Sequence, residues 1–193
     1  MRARRLIDTL GLKPHPEGGW FVETFRSPLR VQPADGRPAR SALTTIYYLL
    51  EAHQFSRWHR VMSDEVWIHL EGAPLALWTS DAALRTPPAH LRLGPVDLHG
   101  TRPQHTVSAG LWQAARPLSA KTAAGTEPRA APSAIQHQSE ASAEAEGGPA
   151  ADFTLVSCSV GPGFDFSDFA FMAAESEEAA LLRHHWPELA ALI

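Results

Sequence analysis

The sequence predicts an all-β protein, a sandwich, jelly roll or barrel, with one short helix at each end of the chain. Three observations carry this reading. Short apolar or alternating runs follow one another through most of the chain, turns rich in Gly and Pro separate them, and helical periodicity is confined to the termini. The 193 residues suit a single domain, and a chain of that length can bury a core of its own.

The first helix is expected over residues 2–10, where Leu6, Ile7 and Leu10 share a face and Gly11 is placed to end it. Strands are expected over 20–25, 44–50, 65–70, 75–80, 90–93, 106–107, 111–114, 153–160 and 169–172, each apolar or alternating and most of them bounded by turn residues. Ser176 is placed to cap a helix carrying Ala180, Leu181 and His184, and Pro187 opens a last turn over 188–193. Residues 119–152 differ in kind. They are rich in Ala, Ser, Glu, Gly and Pro, and Ile135 is their only large aliphatic or aromatic residue. Such a segment buries too little apolar surface to offset its ordering entropy, and it reads as a disordered insertion in a hairpin loop.

Composition excludes several function classes. With 17 Lys+Arg against 21 Asp+Glu, a formal charge of -4 and a pI of 6.2, the chain lacks the concentrated basic patch of a nucleic-acid binder. Cys158 is the only cysteine, so neither an internal disulfide nor an all-cysteine zinc site can form. No run reaches the ~18 apolar residues of a membrane span. The basic N-terminus is interrupted by Asp8 and Lys13, unlike a signal peptide. The expectation is a cytoplasmic protein without nucleic-acid or membrane partners.

Residues 58–72 are the most informative stretch. Strand alternation places Glu65, Trp67 and His69 on one face and Val66, Ile68 and Leu70 on the other. Two ionisable groups flanking an indole outline a polar pocket with an aromatic floor. His59 precedes Glu65 across a Ser63-Asp64 turn, and a hairpin there brings imidazole and carboxylate together, as a metal site or an acid/base pair requires.

These residues resemble a known family. His59-x-Val61-x3-Glu65-x6-Gly72 is similar to the first motif of the cupin superfamily, His-x-His-x3/4-Glu-x6-Gly, and Ser108-Ala-Gly110-Leu-Trp-Gln113 to the core of the second, Pro-x-Gly-x2-His. The segments Pro16-Glu-Gly-Gly-Trp-Phe-Val-Glu-Thr-Phe-Arg26, Ser63-Asp-Glu-Val-Trp67, Trp112-Gln-Ala-Ala-Arg-Pro117 and Ser157-Cys-Ser-Val-Gly-Pro-Gly-Phe-Asp-Phe166 resemble one cupin subgroup, long catalogued as a domain of unknown function. The resemblance implies a double-stranded β-helix, a jelly roll of two facing antiparallel sheets around a ligand cavity, formed by one domain over 1–193 and assembled as a homodimer. It departs from the metal-binding pattern at two positions, where Val61 and Gln113 replace histidines. His59, Glu65 and Gln113 remain as candidate ligands for one divalent ion.

Around this nucleus, the resemblance favours Glu17, Glu23 and Arg26 as charged lining at the barrel mouth, against the alternative of a solvated edge strand. Arg60, on the opposite face from His59, reads as a surface or dimer ion pair. Cys158, in parity with Val156 and Val160, reads as a buried small hydrophobe, and Phe164, Phe166 and Phe169 as core and rim packing. His184-His185 beside Trp186 reads as helix-end dipole compensation.

Two functions follow. In one, a cavity lined by His59, Glu65, Trp67, His69 and Gln113 binds a sugar or small polar metabolite, and His59 and Glu65 move protons in an isomerase- or epimerase-like reaction. In the other, the cavity holds a metabolite without turning it over, as a sensor or storage-like cupin does.

Overall fold

A computed structural model describes residues 1–118 and 151–193. Helix α1 (Arg2–Leu10) opens the chain and ends on Gly11, whose φ of 66° is the left-handed cap a glycine accepts without strain. Among the described residues thirteen strands follow: β1 (Lys13–Pro14), β2 (Trp20–Arg26), β3 (Arg30–Val31), β4 (Arg40–Ser41), β5 (Thr44–Glu51), β6 (Ser56–Val61), β7 (Asp64–Gly72), β8 (Leu75–Ser80), β9 (Ala89–Leu93), β10 (Gln104–Val107), β11 (Trp112–Pro117), β12 (Phe153–Gly161) and β13 (Phe169–Phe171). Helices α2 (Glu177–His185) and α3 (Pro187–Ala190) close it, α2 being capped by the Ser176 hydroxyl, which accepts from the Ala179 N–H. Among the described residues no helix is long and apolar enough to cross a membrane.

The strands form a jelly roll. A six-stranded sheet runs β1-β2-β5-β12-β7-β10, a five-stranded sheet runs β13-β6-β11-β8-β9, and β3-β4 make a small separate ribbon. Every strand pairing within these sheets is antiparallel. The inner faces pack Tyr48, Leu50, Trp67, Val156 and Cys158 against Leu75, Leu77, Leu93 and Ala115. Because side chains alternate, each sheet also has an apolar outer face that must be covered. Ala3, Leu6 and Ile7 of α1 cover Leu49, Phe153 and Leu155. The C-terminal helices and the residues after them lay Ala179, Leu182, Leu189 and Leu192 over Trp58, Trp78 and Trp112. The fully buried Trp58 indole donates to the Leu189 carbonyl at 2.9 Å, pinning that cover in place.

The topology corrects two local readings. β6 and β7 are not a hairpin, because they belong to opposite sheets, and the Ser63-Asp64 turn carries the chain from one wall to the other. The strands flanking the 119–152 segment, β11 and β12, likewise sit in opposite sheets rather than pairing. That segment lies outside the described residues except for its last two: Ala151 packs against the core under α1, and the Asp152 carbonyl accepts from the Ala52 N–H at 2.7 Å.

Candidate functional site

Between the sheets lies an open cavity of about 360 Å³. Its inner end is built from three segments. The turn after β1 folds Glu17 inward. Gly18, at φ 110°, lies where any Cβ would collide with the Phe55 carbonyl oxygen, and its own carbonyl accepts from the Tyr48 hydroxyl at 2.9 Å. β7 contributes Glu65 and Trp67 by alternation. Its end is fixed by Gly72, at φ 96°, where a Cβ would strike the Phe153 carbonyl. β6 contributes Ser56 and His59. A bulge opposite β11, pairing Gln113 with His59 but Ala115 with Ser56, lets residues three apart face the same way.

His59, Glu65, Gln113 and Glu17 converge, although His59 and Glu65 meet across the barrel rather than along a hairpin. The Trp67 indole N–H donates to Gln113 Oε1 at 3.1 Å, and Gln113 Nε2 donates to Glu65 Oε2 at 2.6 Å. The indole is a donor only, so the carboxamide is oriented without ambiguity. Glu17 Oε2 accepts from the Ser56 hydroxyl at 3.0 Å and lies 3.5 Å from His59 Nε2. His59 Nδ1 is 2.7 Å from the Arg57 carbonyl. That acceptor fixes the proton on Nδ1 and leaves the Nε2 lone pair toward Glu17. The Phe169 ring stacks on the imidazole at 5.4 Å.

Burial dominates the electrostatics. It raises the Glu65 carboxyl above the ordinary range, opposed by His59 and reinforced by Glu17. It raises Glu17 likewise, opposed by His15 and by the Ser56 hydrogen bond. It lowers His59, opposed by Glu65 and the Arg57 carbonyl. Two acids pushed up and a base pushed down bring their proton affinities together, which is what reversible proton exchange among them needs.

Several expected roles change. His59 is 1% exposed and stands behind Glu17, outside the cavity lining, so it reaches a ligand only through that carboxyl. Gln113 is also behind the lining, bridging Trp67 to Glu65. His69 shares the face of Glu65 and Trp67, as alternation requires, but lies beyond the cavity with Nε2 3.2 Å from the Ala73 carbonyl. Arg60 lies over the Trp112 ring at 4.8 Å and pairs with no carboxylate among the described residues of this chain. Glu23 and Arg26 do line the mouth, paired with each other at 2.6 Å, together with Phe164, Asp165 and Phe166. His15 and Tyr48 also line the cavity, as does Cys158, which strand parity alone places as packing. Cys158 stands opposite Trp67 in the register, beside the Glu65 carboxylate, where burial pushes its thiol well up. The alternation of Thr44, Ile46 and Tyr48 along β5 was the available signal for Tyr48.

A divalent ion does not fit these residues. Val61 occupies one ligand position with a hydrocarbon wall. Gln113 spends its only oxygen on the indole and turns a donor toward Glu65, which removes it from the candidate ligands. His59 and Glu65 alone remain of the expected set, and among the described residues no group of three or more His, Cys, Asp or Glu could hold a metal.

Comparison with known proteins agrees with this architecture. The family described as "Cupin superfamily (DUF985)" matches residues 4–172. A hypothetical protein from Leishmania major is 29% identical over 99% of this chain and 96% of its own, with a TM-score of 0.71. A structural-genomics protein from Shewanella oneidensis is 25% identical over 98% of this chain and 93% of its own, with a TM-score of 0.68. No functionally curated protein matches the chain.

Proposed function

Since the chain belongs to the cupin superfamily, in the group described as DUF985, we propose that its barrel binds a small polar molecule such as a sugar and moves a proton on it, as an isomerase or epimerase does. One observation carries the reading. Glu17 and Glu65, each 7% exposed, line an open cavity, and none of the described Lys or Arg side chains bonds to either. Buried carboxyls without a cation are costly, and proton transfer is chemistry that uses their raised proton affinity.

Glu65 is the base. Its Oε2 is fixed by Gln113, so the carboxylate approaches a carbon acid in one orientation. A proton leaves the carbon next to a substrate carbonyl for Glu65, and the carbonyl oxygen takes the proton held between Glu17 and His59, giving an enol. In epimerisation the enol hydroxyl gives its proton back to Glu17, and the carbon takes a solvent proton on its other face as Glu65 releases its own. In isomerisation Glu65 delivers its proton to the neighbouring carbon while the hydroxyl on the first carbon gives its proton to Glu17 as the new carbonyl forms. Neither needs a redox co-reactant. His59 acts here as a positioning residue that exchanges a proton with Glu17 through Nε2. The other reading, metabolite binding without turnover, is favoured by the Trp67–Gln113–Glu65 chain, which also suits rigid recognition. A homodimer, implied by the resemblance, belongs to the same proposal and is read by light scattering.

The test is a thermal-shift screen of sugars and hydroxycarbonyl metabolites, followed by NMR of each hit in D₂O with enzyme. Deuterium entering the position next to the carbonyl, with loss of exchange in Glu65→Gln, supports the enzyme. Binding with no exchange supports the binding protein. The absence of any hit, or equal exchange in the variant, contradicts both the assigned base and the reading built on it.

A further inference from the structure

The cavity's charge and walls define the ligand class more narrowly. Resting on the cavity-binding reading above, we infer that the molecule it takes is a compact organic cation, a protonated amine on a frame of about monosaccharide size, rather than a carboxylate or phosphate.

Four carboxyl groups line the cavity, Glu17 and Glu65 inside and Glu23 and Asp165 at the mouth, against one guanidinium. That guanidinium is already committed: Arg26 donates to both Glu23 oxygens, at 3.0 and 2.6 Å, and to the Phe164 carbonyl at 3.3 Å. His15 adds no positive charge, because its Nδ1 accepts the Glu17 N–H at 3.2 Å and so carries no proton of its own. An anion entering here meets like charge and no free donor pair. A cation meets the reverse, and its charge draws the cavity carboxyls, in which burial favours the protonated form, toward carboxylate. Glu17 is buried and lines the cavity, and among the described residues nothing donates a hydrogen bond to its Oε1, the nearest titratable nitrogen being His15 Nδ1 at 3.9 Å. An ammonium group supplies the missing donor. The remaining walls mix aliphatic Ile46, Val61 and Val160 with aromatic rings, Tyr48 and Trp67 inside and Phe164 and Phe166 at the rim, and such rings attract cations. The cavity's 360 Å³ is at the small end of ligand sites.

One hexose frame in three charge states makes the test: glucosamine, glucose and glucuronate, with choline as a second cation, titrated into the full chain by calorimetry. Glucosamine is expected to bind about tenfold or more tighter than glucose, glucuronate weakest, and the preference for charge to collapse in Glu17→Gln, whose fold is checked by circular dichroism. Glucuronate matching glucosamine, a preference that survives in Glu17→Gln, or no binding by either cation overturns the inference. If glucose or glucuronate binds and exchanges hydrogen with solvent while the amines do not, the charge assignment falls and the proton-transfer reading stands. Should Glu17→Gln fail to fold, competition of glucosamine binding by choline but not by acetate in the unaltered protein serves as the second arm, and displacement by acetate overturns it.

Discussion

Replacing Glu65 with glutamine keeps the side chain's shape and removes its charge. The carboxamide oxygen introduced there can still accept from Gln113, so the fold survives. The raised proton affinity of Glu65 follows from burial. Its sign is therefore that of a group whose stabilising contribution is complete below the unfolded pKa and is lost as pH rises through the folded one. Glu65→Gln is thus expected to melt at or above the wild-type temperature near pH 8, with a smaller difference near pH 4; calorimetry at both values checks this, and a variant weaker at pH 8 contradicts it. A second residue-scale prediction concerns metal. Val61→His together with Gln113→His rebuilds the two absent imidazoles beside His59 and Glu65, and the double variant is expected to retain zinc or nickel through gel filtration where the wild type does not. Equal retention by both proteins contradicts the donor-set argument. His59 and Glu65 were legible from strand alternation and spacing, and Gln113 through the family resemblance. The burial of His59 behind Glu17 was not, because spacing along a chain says nothing about depth from a cavity wall.

At the scale of elements, the β3–β4 ribbon is tied to the turn before β13. Arg40 forks onto both Asp168 oxygens, each bond 2.8 Å, and Arg37 adds a third at 2.8 Å. The Arg40 hydrogen bonds, with the charge of both arginines, hold the Asp168 carboxyl below its ordinary range. A depressed carboxyl contributes stability that is complete above its unfolded pKa and lost as pH falls through the folded value. Asp168→Asn leaves Arg40 without its counter-charge and is expected to lower stability near pH 7. Urea titrations from pH 7 downward should show the gap to wild type closing below about pH 4; a gap independent of pH contradicts the ion-pair account. Strand positions were largely readable from apolar or alternating runs, as for the apolar run 75–80. The jump of β6 and β7 to opposite sheets was not, since a Ser-Asp turn looks alike whether the next strand pairs with the last one or crosses the barrel. The ribbon itself, two residues on each side, is too short to leave a periodic signal.

For the whole molecule, the two sheets matter because they take two carboxyls and an imidazole out of water and leave one side open to a ligand. Terminal helices and jelly roll were both visible in the sequence. The cavity's chemistry was visible only in part, because His15, Tyr48 and Cys158 join it through long-range register, with Cys158 opposite Trp67 and Val160 opposite Glu65. Burial raises the Glu17 and Glu65 carboxyls above the ordinary range, and their role as proton carriers rests on that shift. Carboxyl ¹³C NMR of the labelled protein, titrated across the acid-to-neutral range, tests it most directly. Two resonances are expected to titrate above the ordinary glutamate range, one disappearing in Glu17→Gln and the other in Glu65→Gln. If every glutamate titrates within or below that range, the cavity holds two permanent charges and the proton-transfer account is wrong.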